Sequence, residues 1–172
     1  MNTEIVVLIV QVIAAIGVIL SVFYLAIQVN HQLSITKAQF GFALSQRLYD
    51  RFFKTATDPE FCNLLSKDWS NTEFNDGERW QVGFHINCLL IDLFDTYDKV
   101  IANFVSEDQL NIRMNLLKSG LMKIEQGKML WNLWKTTRSD EFISWFESEI
   151  YGGEDINSFD LKSTERASSM FR

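Results

Sequence analysis

The chain has 172 residues, 47% hydrophobic and 22% charged, and this balance excludes a disordered tail and a collagen-like polymer. The net charge of −6 is unfavourable for a nucleic-acid binder, and two cysteines are too few to staple a secreted miniprotein. A single proline argues against an all-β sandwich, which needs many turns, and favours long helices. The composition therefore predicts an acidic, all-α protein of a reducing compartment that binds no nucleic acid.

The first element is an uncharged apolar run over residues 5–29. At about 1.5 Å per residue a helix over this run reaches roughly 37 Å, more than the ~30 Å of a bilayer core. A cleaved signal peptide is the first alternative, but the leader lacks Lys and Arg and the apolar run is too long. A buried core helix is the second alternative. The run predicts a transmembrane anchor over residues 1–29.

The flanks of the run predict its orientation. Glu4 lies on the N-terminal side without a basic residue, whereas Lys37 and Arg47 follow the run on the C-terminal side. Because basic residues stay on the cytoplasmic side, this asymmetry places the N-terminus outside and the rest of the chain in the cytoplasm.

One sector of the predicted span carries small and polar residues. Small side chains let helix backbones approach, and amides can hydrogen-bond across a helix pair. The sector therefore suggests contact with a second span, either self-association or docking on a membrane protein. The alternative is that the small residues are ordinary and the polar ones lie at the interface. The sector consists of Gln11, Ala14, Gly17, Ser21, Tyr24 and Gln28.

The helix is predicted to continue beyond the membrane, because residues 30–40 contain neither Pro nor Gly. An apolar stripe at heptad-like spacing follows, and we expect it to pack on the rest of the body. Its members are Ala38, Phe42, Ser45, Tyr49, Phe52 and Ala56.

Capping signals divide the remainder into four or five antiparallel helices, which form a cytoplasmic domain over residues 30–153. Asp58-Pro59-Glu60 begins a short helix that runs to Leu65. Asn75 with Glu78 predicts a capping box that opens a long helix to about residue 103.

Three further helices complete the predicted body. Ser106 with Gln109 predicts a second box, and its helix extends to about residue 124, where Gln126-Gly127 breaks it. Two short aromatic helices follow over about 129–136 and 140–150. The polar residues 154–172 are predicted to be a mobile tail.

Two constellations could carry function. His85, Cys88, Asp92 and Asp95 share one face of the long helix and are metal-ligand types. Successive turns lie about 5.4 Å apart, so these four alone cannot enclose an ion, and the alternative is a mixed face with paired aspartates. Trp131, Trp134, Trp145 and Phe146 form an aromatic cluster that is either core or a partner surface. No nucleotide-binding or hydrolase motif occurs, so we predict no cofactor and favour a non-enzyme.

The order of elements resembles a set of small bacterial membrane proteins filed under domains of unknown function. The resemblance rests on the single span, on Asp58-Pro59-Glu60-Phe61 with Leu64-Leu65, and on the Trp-rich C-terminal helical pair. It implies an inner-membrane protein without an assigned activity. Such proteins often have a Pro-Gly turn before the penultimate helix, where this chain has Gln126-Gly127.

Three hypotheses for function follow. The first is a membrane-tethered helical module that binds a membrane-associated protein or a second copy of itself. The second is a small phage-defence or exclusion factor at the inner membrane. The third is a metal-dependent helical enzyme that uses the face around His85.

Overall fold

The computed structural model describes residues 2–69 and 73–152, and these residues form helices and no strand. The all-helical prediction is confirmed for this part of the chain, whereas the predicted tail over 154–172 lies outside it. The helices are α1 (Thr3–Thr57), α2 (Pro59–Leu65), α3 (Asp76–Ile101), α4 (Glu107–Lys118), α5 (Glu125–Lys135) and α6 (Asp140–Tyr151).

The chain divides between Ala43 and Leu44 into two compact units. In the first unit, the N-terminal part of α1 is long and apolar enough to cross a membrane, and it is the one described helix that is. None of its apolar window is buried, so this segment is not a core helix of the chain.

In the second unit, α3 is the central helix: α4 and α5 pack against it, and α4 also packs against α6. α3 supplies the largest share of buried apolar side chains, and α6 adds aromatic ones. Tyr97 of α3 meets Phe142 of α6 edge to face at 4.6 Å between ring centroids. The core thus surrounds α3 and includes Val82, Ile86, Leu90, Leu93, Phe94, Met114, Leu117, Trp131, Phe142 and Phe146.

Local capping explains where α2 and α3 begin. The Asp58 side chain accepts a hydrogen bond from the Phe61 amide at 3.0 Å, and Pro59 takes the first helical position. At α3, Asn75 accepts from the Glu78 amide and the Glu78 carboxylate accepts from the Asn75 amide. Both predicted starts are confirmed.

The predicted boundary between α4 and α5 is wrong. α4 ends at Lys118, because Gly120 adopts φ of 108° and breaks the helix there. Gly127 lies inside α5, where a Cβ atom would come within 2.2 Å of the Leu121 carbonyl oxygen. Gly127 is therefore required by the close approach of two backbone segments and not by a helix end.

The predicted inward stripe of α1 is also wrong. All six stripe residues are exposed, while Leu44 is buried and Leu48, Arg51 and Thr55 are half-buried. The buried face is offset from the stripe by one residue, about 100° around the helix. Arg51 turns inward because it pairs with the buried Asp92.

The two helix starts predicted from capping boxes differ in one respect that can be measured. Ser106 is the N-cap of α4, but its side chain makes no capping hydrogen bond, whereas Asn75 makes a complete box. Asn75→Ala is expected to lower the free energy of unfolding by about 1 kcal/mol, and Ser106→Ala to lower it by much less. Chemical unfolding of the full chain in detergent measures both, and equal losses would contradict this reading of the caps.

Candidate functional site

The most unusual polar feature of the second unit is a buried carboxylate surrounded by arginines. Asp92 on α3 is 2% exposed. Its Oδ2 atom lies 2.9 Å from Arg113 Nε and 3.0 Å from Arg51 Nη2, and its Oδ1 atom lies 3.4 Å from Arg47 Nη1. Because a buried charge is costly unless it is paired, these guanidiniums are what allows Asp92 to lie in the core.

Arg113 on α4 is itself buried, and each of its three guanidinium nitrogens donates a hydrogen bond. It donates to the Leu44 carbonyl at 2.8 Å and to the Gln109 carbonyl at 2.9 Å, besides its bond to Asp92. Burial lowers the pKa of Arg113, and the attraction of Asp92 opposes this effect. The residue therefore joins α1, α3 and α4 within the second unit.

A second carboxylate extends the cluster toward solvent. Asp95 pairs with Arg47 at 2.7 Å and with Lys99 one turn further along α3. Partial burial raises the pKa of Asp95, but the hydrogen bonds from Lys99 and Arg47 outweigh it and hold this pKa below its usual value. We call Arg47, Arg51, Asp92, Asp95, Lys99 and Arg113 the arginine–aspartate cluster.

The four residues of the proposed metal face have separate surroundings. Asp92 and Asp95 are paired with cations, Cys88 is exposed, and His85 lies against aromatic rings. Within residues 2–69 and 73–152, no three His, Cys, Asp or Glu side chains are grouped so that they could hold an ion. The two aspartates thus have the paired environment of the alternative interpretation.

His85 packs between Phe61 and Trp69, with ring centroids 5.2 Å and 6.4 Å away. Burial lowers its pKa below the ordinary 6.5, and the nearby Arg51 adds to the effect. As the pH falls through 6.5, His85 is therefore protonated in the unfolded state before it is protonated in the folded state, and this favours unfolding.

We expect this histidine to contribute to acid sensitivity. The free energy of unfolding should fall between about pH 7.5 and about pH 5.5, and His85→Phe should reduce that fall. Chemical unfolding at the two pH values measures the difference, with His31→Asn, which removes the other histidine, as the comparison variant. An unchanged decline in His85→Phe would contradict the assignment.

The polar sector of the apolar segment is exposed throughout. Ser21 Oγ donates to the Gly17 carbonyl at 2.8 Å, and Gln28 donates to the Tyr24 hydroxyl at 3.3 Å. Gln11 and Ala14 are exposed on the same helix. The Ser21 hydroxyl thus has its hydrogen-bond acceptor within its own helix. The backbone at Gly17 remains uncovered, so a second helix could approach it closely.

The aromatic cluster divides into core and half-buried members. Trp131 and Phe146 are fully buried and stack at 4.1 Å between ring centroids, so neither offers a surface to a partner. Trp134 and Trp145 are half-buried. The indole of Trp134 donates to Asn87 at 2.6 Å. The cluster is thus mainly a packing element.

Three aromatic side chains close together on α1 are exposed instead. Tyr49 is 61% exposed, Phe53 56% and Phe52 51%. A groove beside them, between α1 and α3, is lined by Phe84 and Ile91, which are also exposed. We call Tyr49, Phe52 and Phe53 the α1 aromatic face. Large apolar groups grouped on a surface commonly mark an interaction site.

Sequence reasoning missed both the arginines of the cluster and the α1 aromatic face. Nothing in the sequence near Arg47 and Arg51 indicates their partner, because pairing with Asp92 across more than forty residues leaves no local pattern. The face was visible as a heptad-like stripe but was assigned to the wrong side of the helix.

No protein-family model, no curated protein and no solved structure matches this chain.

Proposed function

We propose that the chain is a single-span membrane protein, with its N-terminus outside and its helical body in the cytoplasm. The uncharged run, the uncovered apolar surface of the first part of α1 and the basic residues that follow it support this placement. The resemblance to small bacterial membrane proteins supports the inner membrane as its location.

The body is proposed to be a protein-interaction module with no catalytic role. The observation that carries this proposal is the α1 aromatic face. Three large rings exposed on one helix are costly in water, and aromatic side chains are enriched where proteins bind. A membrane anchor raises the effective concentration of such a face for partners in the same membrane.

The register of α1 favours a second copy of the chain as that partner. Apolar or small residues recur at alternating steps of three and four residues from Ile35 to Ala56, with Ser45 as the small polar residue among them. Such a repeat is the sequence signature of paired helices. In a parallel pair the positions that flank the repeat between residues 39 and 55 are uncharged, so no like charges meet.

Photocrosslinking in intact cells tests the proposal. A photoreactive phenylalanine replaces Tyr49 in the full chain, and the control places it at Leu133, which is also exposed and apolar but lies on α5. We expect a product of about twice the 20.0 kDa chain mass from position 49 and none from position 133. Absence of any reproducible product from position 49 would contradict the interaction role.

The small residues of the span give a further prediction. Gly17→Leu is expected to weaken self-association, because the larger side chain keeps two helix backbones apart. Ile19→Leu, which changes shape but not size on another side of the helix, is the control. A two-hybrid assay within the membrane compares them, and equal signals would exclude Gly17 from the contact.

A further inference from the structure

A cleft of about 570 Å³ opens beside the arginine–aspartate cluster. Its volume lies within the 300–1,000 Å³ typical of small-molecule sites. Residues of α1, α3, the end of α2 with the segment after it, and the end of α4 with the segment before α5 form its wall, so the cleft belongs to the second unit alone. The wall is mainly apolar and includes Phe52, Leu65, Trp69, Leu89, Leu116 and Leu121.

Arg51 supplies a cationic group in this apolar wall. Its Nη2 atom pairs with Asp92, but its Nη1 atom is buried and has no hydrogen-bond partner. A buried donor without an acceptor costs free energy. A molecule in the cleft can reach the part of the Arg51 side chain that remains exposed, which is 16% of its surface.

The charges around Arg51 favour an anionic acceptor. Three arginines of the cluster, Arg47, Arg51 and Arg113, face Asp92 and Asp95, which leaves an excess of one positive charge among them. His85 also lines the cleft, and burial favours its neutral form. Lys67 and Asp68 at the rim carry opposite charges, and Lys67 pairs with Glu78 at 2.5 Å.

We propose that this cleft binds a single-chain apolar molecule with one anionic head group, a carboxylate or a phosphate monoester. Arg51 pairs with the anion, and the apolar wall covers the chain. Phe52 belongs both to this cleft and to the α1 aromatic face. The test below therefore uses Trp69 and Ser119, which lie outside that face, so its failure is distinguishable from a failure of the crosslinking at Tyr49.

Tryptophan fluorescence of the full chain in phosphatidylcholine nanodiscs provides the test. The apolar segment contains no tryptophan, and Trp69 lines the cleft. Brominated decanoic acid is the quencher, and brominated decanol is its uncharged counterpart. We expect saturable quenching by the acid that disappears in Trp69→Phe and persists in Trp80→Phe, since Trp80 does not line this cleft.

Two variants locate the binding determinants. Arg51→Gln is expected to raise the dissociation constant of the brominated acid at least about tenfold. Lys54→Gln removes a cation on the same helix that lies outside the cleft wall, and it should leave this dissociation constant unchanged. Ser119→Phe fills the rim and leaves the residues of the cluster unchanged, so it should abolish binding even if Arg51→Gln unfolds the protein. Unlabelled decanoate and decyl phosphate then compete, and the stronger competitor identifies the head group.

Three results would overturn the proposal. Equal quenching by the acid and the alcohol would show that the anion is not recognised. Quenching that survives in both Trp69→Phe and Ser119→Phe would show that the acid acts only from the bilayer. Absence of saturable quenching would show that the cleft does not bind such a molecule.

Discussion

Asp92→Ala is expected to lower the free energy of unfolding by about 3–5 kcal/mol. The substitution removes the carboxylate that pairs with Arg113, Arg51 and Arg47, while Arg113 stays held in the core by the carbonyls of Leu44 and Gln109. A buried guanidinium without its counter-charge then raises the free energy of the folded state. Chemical unfolding of the full chain in detergent measures the loss.

The matched control is Asp98→Ala on the same helix. Asp98 pairs with Arg138 at 3.4 Å, but its side chain is 65% exposed, so its loss should cost less than about 1 kcal/mol. A loss for Asp92→Ala as small as that for Asp98→Ala would show that the arginines relax into solvent and that the cluster is not part of the core.

Gly127→Ala is expected to be the most destabilising glycine substitution outside the turns. The new Cβ atom would lie 2.2 Å from the Leu121 carbonyl oxygen and 2.8 Å from the Met122 Cα atom. Both are backbone atoms, so the segment before α5 must move as a whole. Overpacking against side chains typically costs about 1–3 kcal/mol, and we expect a loss at or above the upper end of that range.

Gly83→Ala serves as the opposite case. Gly83 lies within α3, and nothing lies within 4 Å of a Cβ atom built there. Alanine in a helix interior is favoured over glycine by about 0.5–1 kcal/mol, so this variant should be more stable than the parent chain. Melting curves of both variants in the same detergent compare them. A Gly127→Ala variant as stable as Gly83→Ala would exclude the close backbone approach.

The sequence predicted those features of the fold that depend on a few neighbouring residues. The starts of α2 and α3 follow from Asp58-Pro59 and from the Asn75 box, where the donor and the acceptor lie within three residues of each other. The end of α6 follows in the same way from Gly152, which takes a left-handed φ of 66°.

Features set by distant contacts were not predictable in this way. Two glycines, Gly120 and Gly127, lie near the same boundary, and only the packing decides which of them breaks the helix. The inward face of α1 is set by Arg51, whose partner Asp92 is on another helix. A rotation of one residue separates that face from the predicted stripe, and the heptad-like spacing of the stripe favoured the wrong one of the two.

The candidate sites also combine residues that local spacing indicates with contacts between distant parts of the sequence. The aspartates of the proposed metal face were singled out from their spacing, but their counter-ions are distributed over α1, α3 and α4. The cleft next to Arg51 has no sequence signature, since its wall combines a few residues from each of several elements that are distant in sequence.

The most direct test of the account is the side of the membrane on which the body lies. Cys88 is exposed on α3, and with Cys62→Ser it becomes the sole cysteine. A membrane-impermeant maleimide is predicted to label Cys88 in inverted inner-membrane vesicles and not in right-side-out ones. Labelling in right-side-out vesicles, or recovery of the chain in the supernatant after vesicle sedimentation, would contradict a cytoplasmic body held at the membrane by the first part of α1.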